Sequence, residues 1–183
     1  MQITAHVYGT HIDEDPGTTG VFHPGGTTIY FVGEPSGGMA VVDTGERDRD
    51  WTRQILDYYA ELGRPPMTAI LVTHGHGDHI GGVERLQEAM GCPVRCHPKL
   101  VKTLAHFLGR ALVVPLRSRE LVQIGGGVAL RALFTPGHSN DHVCYYLASE
   151  RVMFTGDHVL GASSTSVEDL TQYLESLQII AKF

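Results

Sequence analysis

Hydrophobic and polar positions along this chain switch between two periods. Short apolar runs of strand length alternate with stretches whose apolar residues stand three and four apart, which predicts an α/β arrangement. Residues 27–33 (Thr-Thr-Ile-Tyr-Phe-Val-Gly) are rich in β-branched and aromatic types and predict a strand. A second follows at 39–42 (Met-Ala-Val-Val), ending at Asp43-Thr44-Gly45. From Asp50 to Leu62 the apolar positions Trp51, Ile55, Tyr58, Tyr59 and Leu62 keep helical spacing, with Asp48 or Asp50 to cap the start and Gly63, Pro65 and Pro66 to stop it.

The wholly apolar run Ala69-Ile70-Leu71-Val72 predicts a buried strand, and a helix follows Gly81-Gly82 with Val83, Leu86 and Met90 inward and Gly91 closing it. Pro98 suits the first position of a helical segment containing Leu100, Val101, Leu104 and Leu108. Val128–Phe134, Val143–Leu147 and Val152–Phe154 are further strands. Ser166 and Asp169 stand at capping-box spacing before Val167, Leu170, Tyr173, Leu174 and Leu177, so a helix is expected at the end. No repeat or linker interrupts the pattern, and residues 1–183 read as a single domain.

Composition narrows the function classes. A length of 183 residues with 42% hydrophobic content is enough to bury a core, and a formal charge of −6 offers no general basic excess for nucleic acid. No apolar stretch approaches a membrane span, and Met1 to Gly9 carries no secretory signal pattern. Cys92, Cys96 and Cys144 form no disulfide framework, and a cytoplasmic location is expected.

Candidate chemistry concentrates in the histidines. Six of the 11 lie in the stretches 74–79 and 138–158. Thr73-His74-Gly75-His76-Gly77-Asp78-His79-Ile80-Gly81-Gly82 places three imidazoles and a carboxylate within six residues. Imidazole nitrogen and carboxylate oxygen are standard zinc donors. In a turning loop His74 and His76 can reach one metal while Asp78 and His79 reach another, with Gly75 and Gly77 removing side-chain bulk where the backbone folds around the ions. A polar loop with incidental histidines is the plainer reading, but mostly exposed residue types seldom gather at ligand spacing by accident. So short a loop cannot fill two coordination spheres. His138 in Pro136-Gly137-His138 and Asp157 in Gly156-Asp157-His158 are the candidates to complete them, although each alone is also an ordinary loop residue. Asp43, His74, His138 and Asp157 all follow predicted strands, the end at which open α/β sheets place ligands.

These motifs together resemble the metallo-β-lactamase superfamily of hydrolases. The resemblance rests on the H-x-H-x-D-H loop, the later Pro136-Gly137-His138, Asp43-Thr44-Gly45 and the strand at 27–33. Thr155-Gly156-Asp157-His158-Val159-Leu160-Gly161 is similar to the lactamase-β-like, glyoxalase II-like branch in particular. The resemblance spans residues 27 to about 177 and implies an αββα sandwich with metals at one edge. It implies His74, His76 and His138 around a first zinc, Asp78 and His79 on a second, and Asp157 between them, with iron or manganese as alternatives a His/Asp donor set accepts. It further implies that Asp78 orients a zinc-bound hydroxide and that Asp43 fixes the ligands from behind.

One feature of the family is missing. A further ligand histidine some tens of residues after the bridging aspartate is absent, because the chain ends 26 residues past Asp157, as are the last strands and closing helix. Three explanations compete: a C-terminally incomplete chain, a single tightly held metal, or replacement by His158 or His142. The leading functional expectation is a metal-dependent hydrolase of a small-molecule ester, thioester, lactone or amide. The alternatives are an endoribonuclease acting on single-stranded RNA and a weakly active or non-catalytic metal-binding remnant. A homo-oligomer covering the bare sheet edge is open.

Other signals read as structural. Cys92-x-x-x-Cys96-His97 lacks a fourth zinc ligand, so these thiols are expected in or beside a strand. Gly125-Gly126-Gly127 lacks the Lys-Ser/Thr of a phosphate loop and predicts a hairpin turn. Arg110, Arg117, Arg119 and Arg131 are candidates for a substrate rim or a solvated face.

Overall fold

A computed structural model of the chain describes residues 1–13, 26–161 and 164–183. Among these residues ten strands form two sheets. In the first, β1 (Val7–Ile12), β2 (Thr27–Glu34) and β3 (Gly38–Val42) pair antiparallel. From β3 the sheet continues in parallel through β4 (Met67–Leu71), β5 (Val94–Cys96) and β6 (Val113–Pro115). Parallel neighbours require crossovers. These are made by α1 (Arg49–Glu61), by α2 (Gly77–Ile80) with α3 (Val83–Met90), and by α4 (Val101–Leu108). The second sheet is an antiparallel meander of β7 (Leu121–Gly125), β8 (Val128–Phe134), β9 (Val143–Leu147) and β10 (Val152–Phe154), followed by α5 (Leu170–Ile180).

Strand alternation assigns the two faces of each sheet. Met39, Val41, Ile70 and Val72 point to the helices and pack with Trp51, Ile55, Leu86 and Leu104. Their neighbours Ala40, Val42, Ala69 and Leu71 point the other way and pack with Val122, Leu130, Val143 and Tyr145 of the second sheet. Burying one such aliphatic side chain contributes roughly 1.5–3 kcal/mol, so two continuous apolar layers dominate the stability. Leu133, Cys144 and Tyr146 form the outer face of the second sheet and receive Ile180 of α5. The order helix, sheet, sheet, helix is the expected αββα sandwich.

The expected strands and helices occur with boundaries shifted by one to a few residues. Asp48 caps α1, its carboxylate accepting from the Asp50 N–H at 2.6 Å. Gly91 closes α3 in the left-handed conformation, φ 65°. Pro98 opens a 3₁₀ turn (Pro98–Leu100) that leads into α4. Gly126 and Gly127 form the tight turn between β7 and β8, and all three thiols are buried, Cys96 within β5. Ser166 does not cap α5. The Glu168 and Asp169 N–H groups are instead held by the Gly137 carbonyl at 2.8 and 3.0 Å, and Asp169 becomes the cap, accepting from Gln172. β1 and β6 carry no clear sequence signal, and β5 and β7 are implied only by the strand-side thiols and the hairpin turn, because three-residue strands and strands with polar alternate positions leave little apolar signal. Among the described residues no helix is long and apolar enough to cross a membrane.

Candidate metal centre

The candidate ligands converge at one edge of the sandwich from loops that follow β4, β8 and β10, and Asp43 reaches them from the end of β3. The first loop leaves β4 through Thr73 and His74 and closes into the single turn α2, where the His79 and Ile80 N–H groups both bond the His76 carbonyl. That turn presents Asp78 and His79. It can lie against the β3 loop because Gly81 has no side chain: a Cβ there would meet the Arg47 backbone nitrogen at 2.2 Å. The expected role of Gly75 and Gly77 needs correcting. A Cβ on Gly75 would strike Leu100 and Asp141 rather than the metal side, and one on Gly77 would meet open space.

Asp43 organises the loop. One carboxylate oxygen accepts from the Thr73 N–H at 2.7 Å, and the other accepts from the Thr73 hydroxyl at 2.8 Å and lies 2.8 Å from His79 Nδ1. Thr44 adds a second clamp, its N–H and hydroxyl both donating to the His79 carbonyl. Asp43 occupies left-handed backbone, φ 62°, an uncommon conformation that places its carboxylate under the loop.

Hydrogen bonds fix which ring nitrogens point inward. The Thr73 hydroxyl spends its proton on the acceptor-only Asp43 carboxylate, so its contact with His74 Nδ1 at 3.0 Å makes that nitrogen the donor. His138 Nδ1 lies 2.8 Å from the Ser166 carbonyl and is therefore also protonated. Both Nε2 lone pairs then face the centre. His74 Nε2, His76 Nδ1 and His138 Nε2 stand 3.0, 3.1 and 3.2 Å apart. Donors 2.0–2.1 Å from a tetrahedral zinc are separated by about 3.3 Å, so the spacing suits a shared cation. Two facing lone pairs at this distance repel unless positive charge lies between them.

A second group is formed by His74, His79 and Asp157. His79 Nε2 is 3.1 Å from one Asp157 oxygen and 3.3 Å from Asp78, and the other Asp157 oxygen is 3.8 Å from His138 Nε2. Asp157 thus faces both halves of the cluster. The structure brings His74, His76, Asp78, His79, His138 and Asp157 together, although His74 stands in both groups rather than in the first alone.

The electrostatics also call for cations. Burial and then the surrounding imidazoles of His79, His142, His138 and His76 push the His74 pKa far down, leaving the ring neutral and able to donate a lone pair. Burial alone would lower His79 too, but the carboxylates of Asp43, Asp157 and Asp78 raise it well above the ordinary value. Burial opposes ionisation of Asp157, and the bond and charge from His79 outweigh it and lower its pKa. The three carboxylates thus favour positive charge at this point of the cluster, whether on the His79 ring or on a bound cation. The donor set, its spacing and its charge all fit a divalent metal such as zinc.

His142 and His158 lie behind this cluster and belong to neither metal-capable group. His142 Nδ1 contacts the Thr135 hydroxyl at 2.9 Å, and the His158 ring packs on Tyr173 at 4.4 Å. Thr73, Thr44, Thr165 and Ser166 also support the cluster, a role the sequence does not assign them. For the first two the signal was their place inside the Thr73-His74 and Asp43-Thr44 motifs. Ser166 acts through its backbone and leaves no mark.

Asp43, Asp78, His79 and Asp157 also form the floor of a cavity of about 550 Å³ between β1, β2 and β10. Tyr30, Val152, Phe154, Val159 and Leu160 contribute an apolar wall, and no Lys or Arg is among the described residues lining it.

The metallo-beta-lactamase superfamily model matches residues 23–183. The chain is 36% identical over 167 residues to the lactamase-like protein nscB of Aspergillus fumigatus, covering 91% of this chain and 47% of that protein. It is 35% identical over 159 residues to an atrochrysone carboxyl ACP thioesterase of Cryptosporiopsis sp., covering 87% and 46%. The chain therefore spans about half the length of the curated relatives it matches. Among solved structures, a metallo-beta-lactamase family protein from Thermus thermophilus aligns with a TM-score of 0.69 at 25% identity, over 95% of this chain and 69% of that one. The match over most of its length places this chain in the metallo-β-lactamase superfamily.

Proposed function

We propose that this chain is the metal-bearing part of a hydrolase that cleaves an acyl thioester. The observation that carries the reading is the convergence of three imidazole nitrogens within 3.2 Å beside the Asp157 carboxylate. His74, His76 and His138 would hold one ion, Asp78 and His79 a second, with Asp157 between them; zinc suits this set, and iron or manganese are accepted alternatives. Metal bound there supplies a Lewis acid and makes water nucleophilic at neutral pH.

The residues themselves support the rest. Asp78 and Asp157 are acceptor carboxylates at the cavity floor, suited to orienting a water and holding its proton. Asp43 keeps the His79 ring in one orientation through Nδ1, leaving Nε2 for the centre. The apolar wall suits an acyl chain or aromatic acyl group. The absence of Lys and Arg from the described lining favours a neutral carbonyl over the phosphate backbone of an RNA strand. The choice of thioester among the acyl classes draws support from the thioesterase names of relatives at 35–36% identity.

Acyl-N-acetylcysteamine thioesters, with release of free thiol followed by a chromogenic reagent, test this reading. Hydrolysis should stop on chelation and return with zinc, manganese or iron. A metal-loaded protein that turns over no member of an aliphatic and aromatic acyl panel would refute it.

A further inference from the structure

The charge of this chain is segregated. Residues 89–119 hold six of its 14 Lys and Arg and none of its 20 Asp and Glu, although the whole chain carries −6. The segment folds as β5, the 3₁₀ turn, α4 and the edge strand β6. Arg95 is consumed by an ion pair with Glu120. Lys99, Lys102, Arg110, Arg117 and Arg119 are exposed.

On α4 the basic residues meet apolar surface. Pro98, Val101, Lys102, His106, Phe107 and Arg110 line one shallow groove. Phe107 is 46% exposed, and Val114 on β6 is exposed as well. An aromatic side chain left in water between cations has the composition of an interface anchor ringed by charge rather than of an ordinary solvated helix.

The face also adjoins the metal cluster. Lys99 Nζ donates to the Asn140 carbonyl at 3.0 Å, in the loop that carries His138. The Leu100 side chain lies against Gly75, between His74 and His76. Asp141 stands at this rim, its carboxylate accepting from the Ser139 hydroxyl at 2.7 Å. A partner seated on α4 would therefore present a tethered group beside the His74, His76 and His138 side of the cluster.

We propose that the α4 face is the docking surface for an acidic helix of an acyl-carrier domain, which delivers the thioester to the metal centre. The assignment rests on the thioester reading above. Positive charge on an otherwise acidic chain selects a negatively charged partner surface. An RNA strand is the other polyanion, and the absence of basic residues from the described cavity lining sets it aside.

The test compares a purified, phosphopantetheinylated carrier protein with the same acyl group on N-acetylcysteamine. Lys102→Glu, the pair Lys102→Glu with Arg110→Glu, and Lys182→Glu as a distant control are each checked for fold by circular dichroism. The double variant should weaken carrier binding roughly tenfold or more, raise KM for the acyl-carrier substrate with kcat unchanged, and flatten its salt dependence. Turnover of the small thioester should stay the same in every variant. Unchanged carrier binding in both α4 variants would overturn the proposal. So would loss of binding to a labelled single-stranded oligouridylate with carrier binding intact, which would make the face a nucleic-acid surface. If neither thioester is hydrolysed, the hydrolase reading fails, and the carrier titration still decides docking on its own.

Discussion

The Asp43 carboxylate lies 2.8 Å from Nδ1 of His79 while also accepting from Thr73, so one residue at the end of β3 orients two points of the histidine loop. Because these bonds turn His79 Nε2 toward Asp157 and Asp78, the geometry of the candidate ligands depends on a side chain that belongs to neither metal-capable group.

Asp43→Asn separates this role from folding. Asn tolerates the left-handed backbone at this position, φ 62°, but supplies one acceptor where the carboxylate supplies two. Metal affinity measured by competition with a chromophoric chelator should fall about 10–100-fold, with little change in helix content. Native affinity in this variant would show that the loop is held by other contacts.

Gly137 makes a second prediction. Its φ of 133° is open to glycine alone, and a Cβ there would stand 2.4 Å from the Tyr173 backbone of α5. Gly137→Ala should push α5 away and cost roughly 1–3 kcal/mol in denaturant unfolding. It should also loosen His138, whose Nδ1 partner Ser166 precedes that helix.

Glu150 predicts an acid-sensitive contact far from the centre. Burial would raise its pKa, but hydrogen bonds from Thr4 and His6 and the His6 charge hold it below the ordinary carboxylate value of 4.5. A carboxylate whose folded pKa is depressed stabilises the fold above its unfolded pKa, and that contribution disappears as pH falls through the folded value. The melting temperature of the native protein should therefore exceed that of Glu150→Gln at about pH 6, and the two should converge near about pH 3. A gap that persists in acid would mean the contact acts through packing.

Much of this arrangement was legible in the sequence because the relevant signals are local. Met39 to Val42 and Ala69 to Val72 are apolar on both faces since each sheet face meets a layer, and that reads directly as buried strand. The histidine loop declares itself within six residues. Less visible were features made by residues distant in the chain. Asp43 and Thr73 are 30 positions apart, and His138 and Ser166 are 28 apart, one of those contacts using only a backbone carbonyl. Ser166 and Asp169 matched a capping box, yet the Gly137 carbonyl decided where α5 begins. The basic groove leaves little sequence signal for a related reason: Lys102, His106 and Arg110 become one surface only when α4 forms.

Elemental analysis of the purified protein, with and without His138→Ala, tests the metal centre most directly. Bound zinc, iron or manganese is expected in the native chain, with a clear fall in the variant while its circular dichroism spectrum persists. A native chain that holds no metal after loading with excess zinc, or a variant that holds as much as the native chain, would contradict the assignment of these imidazoles as ligands.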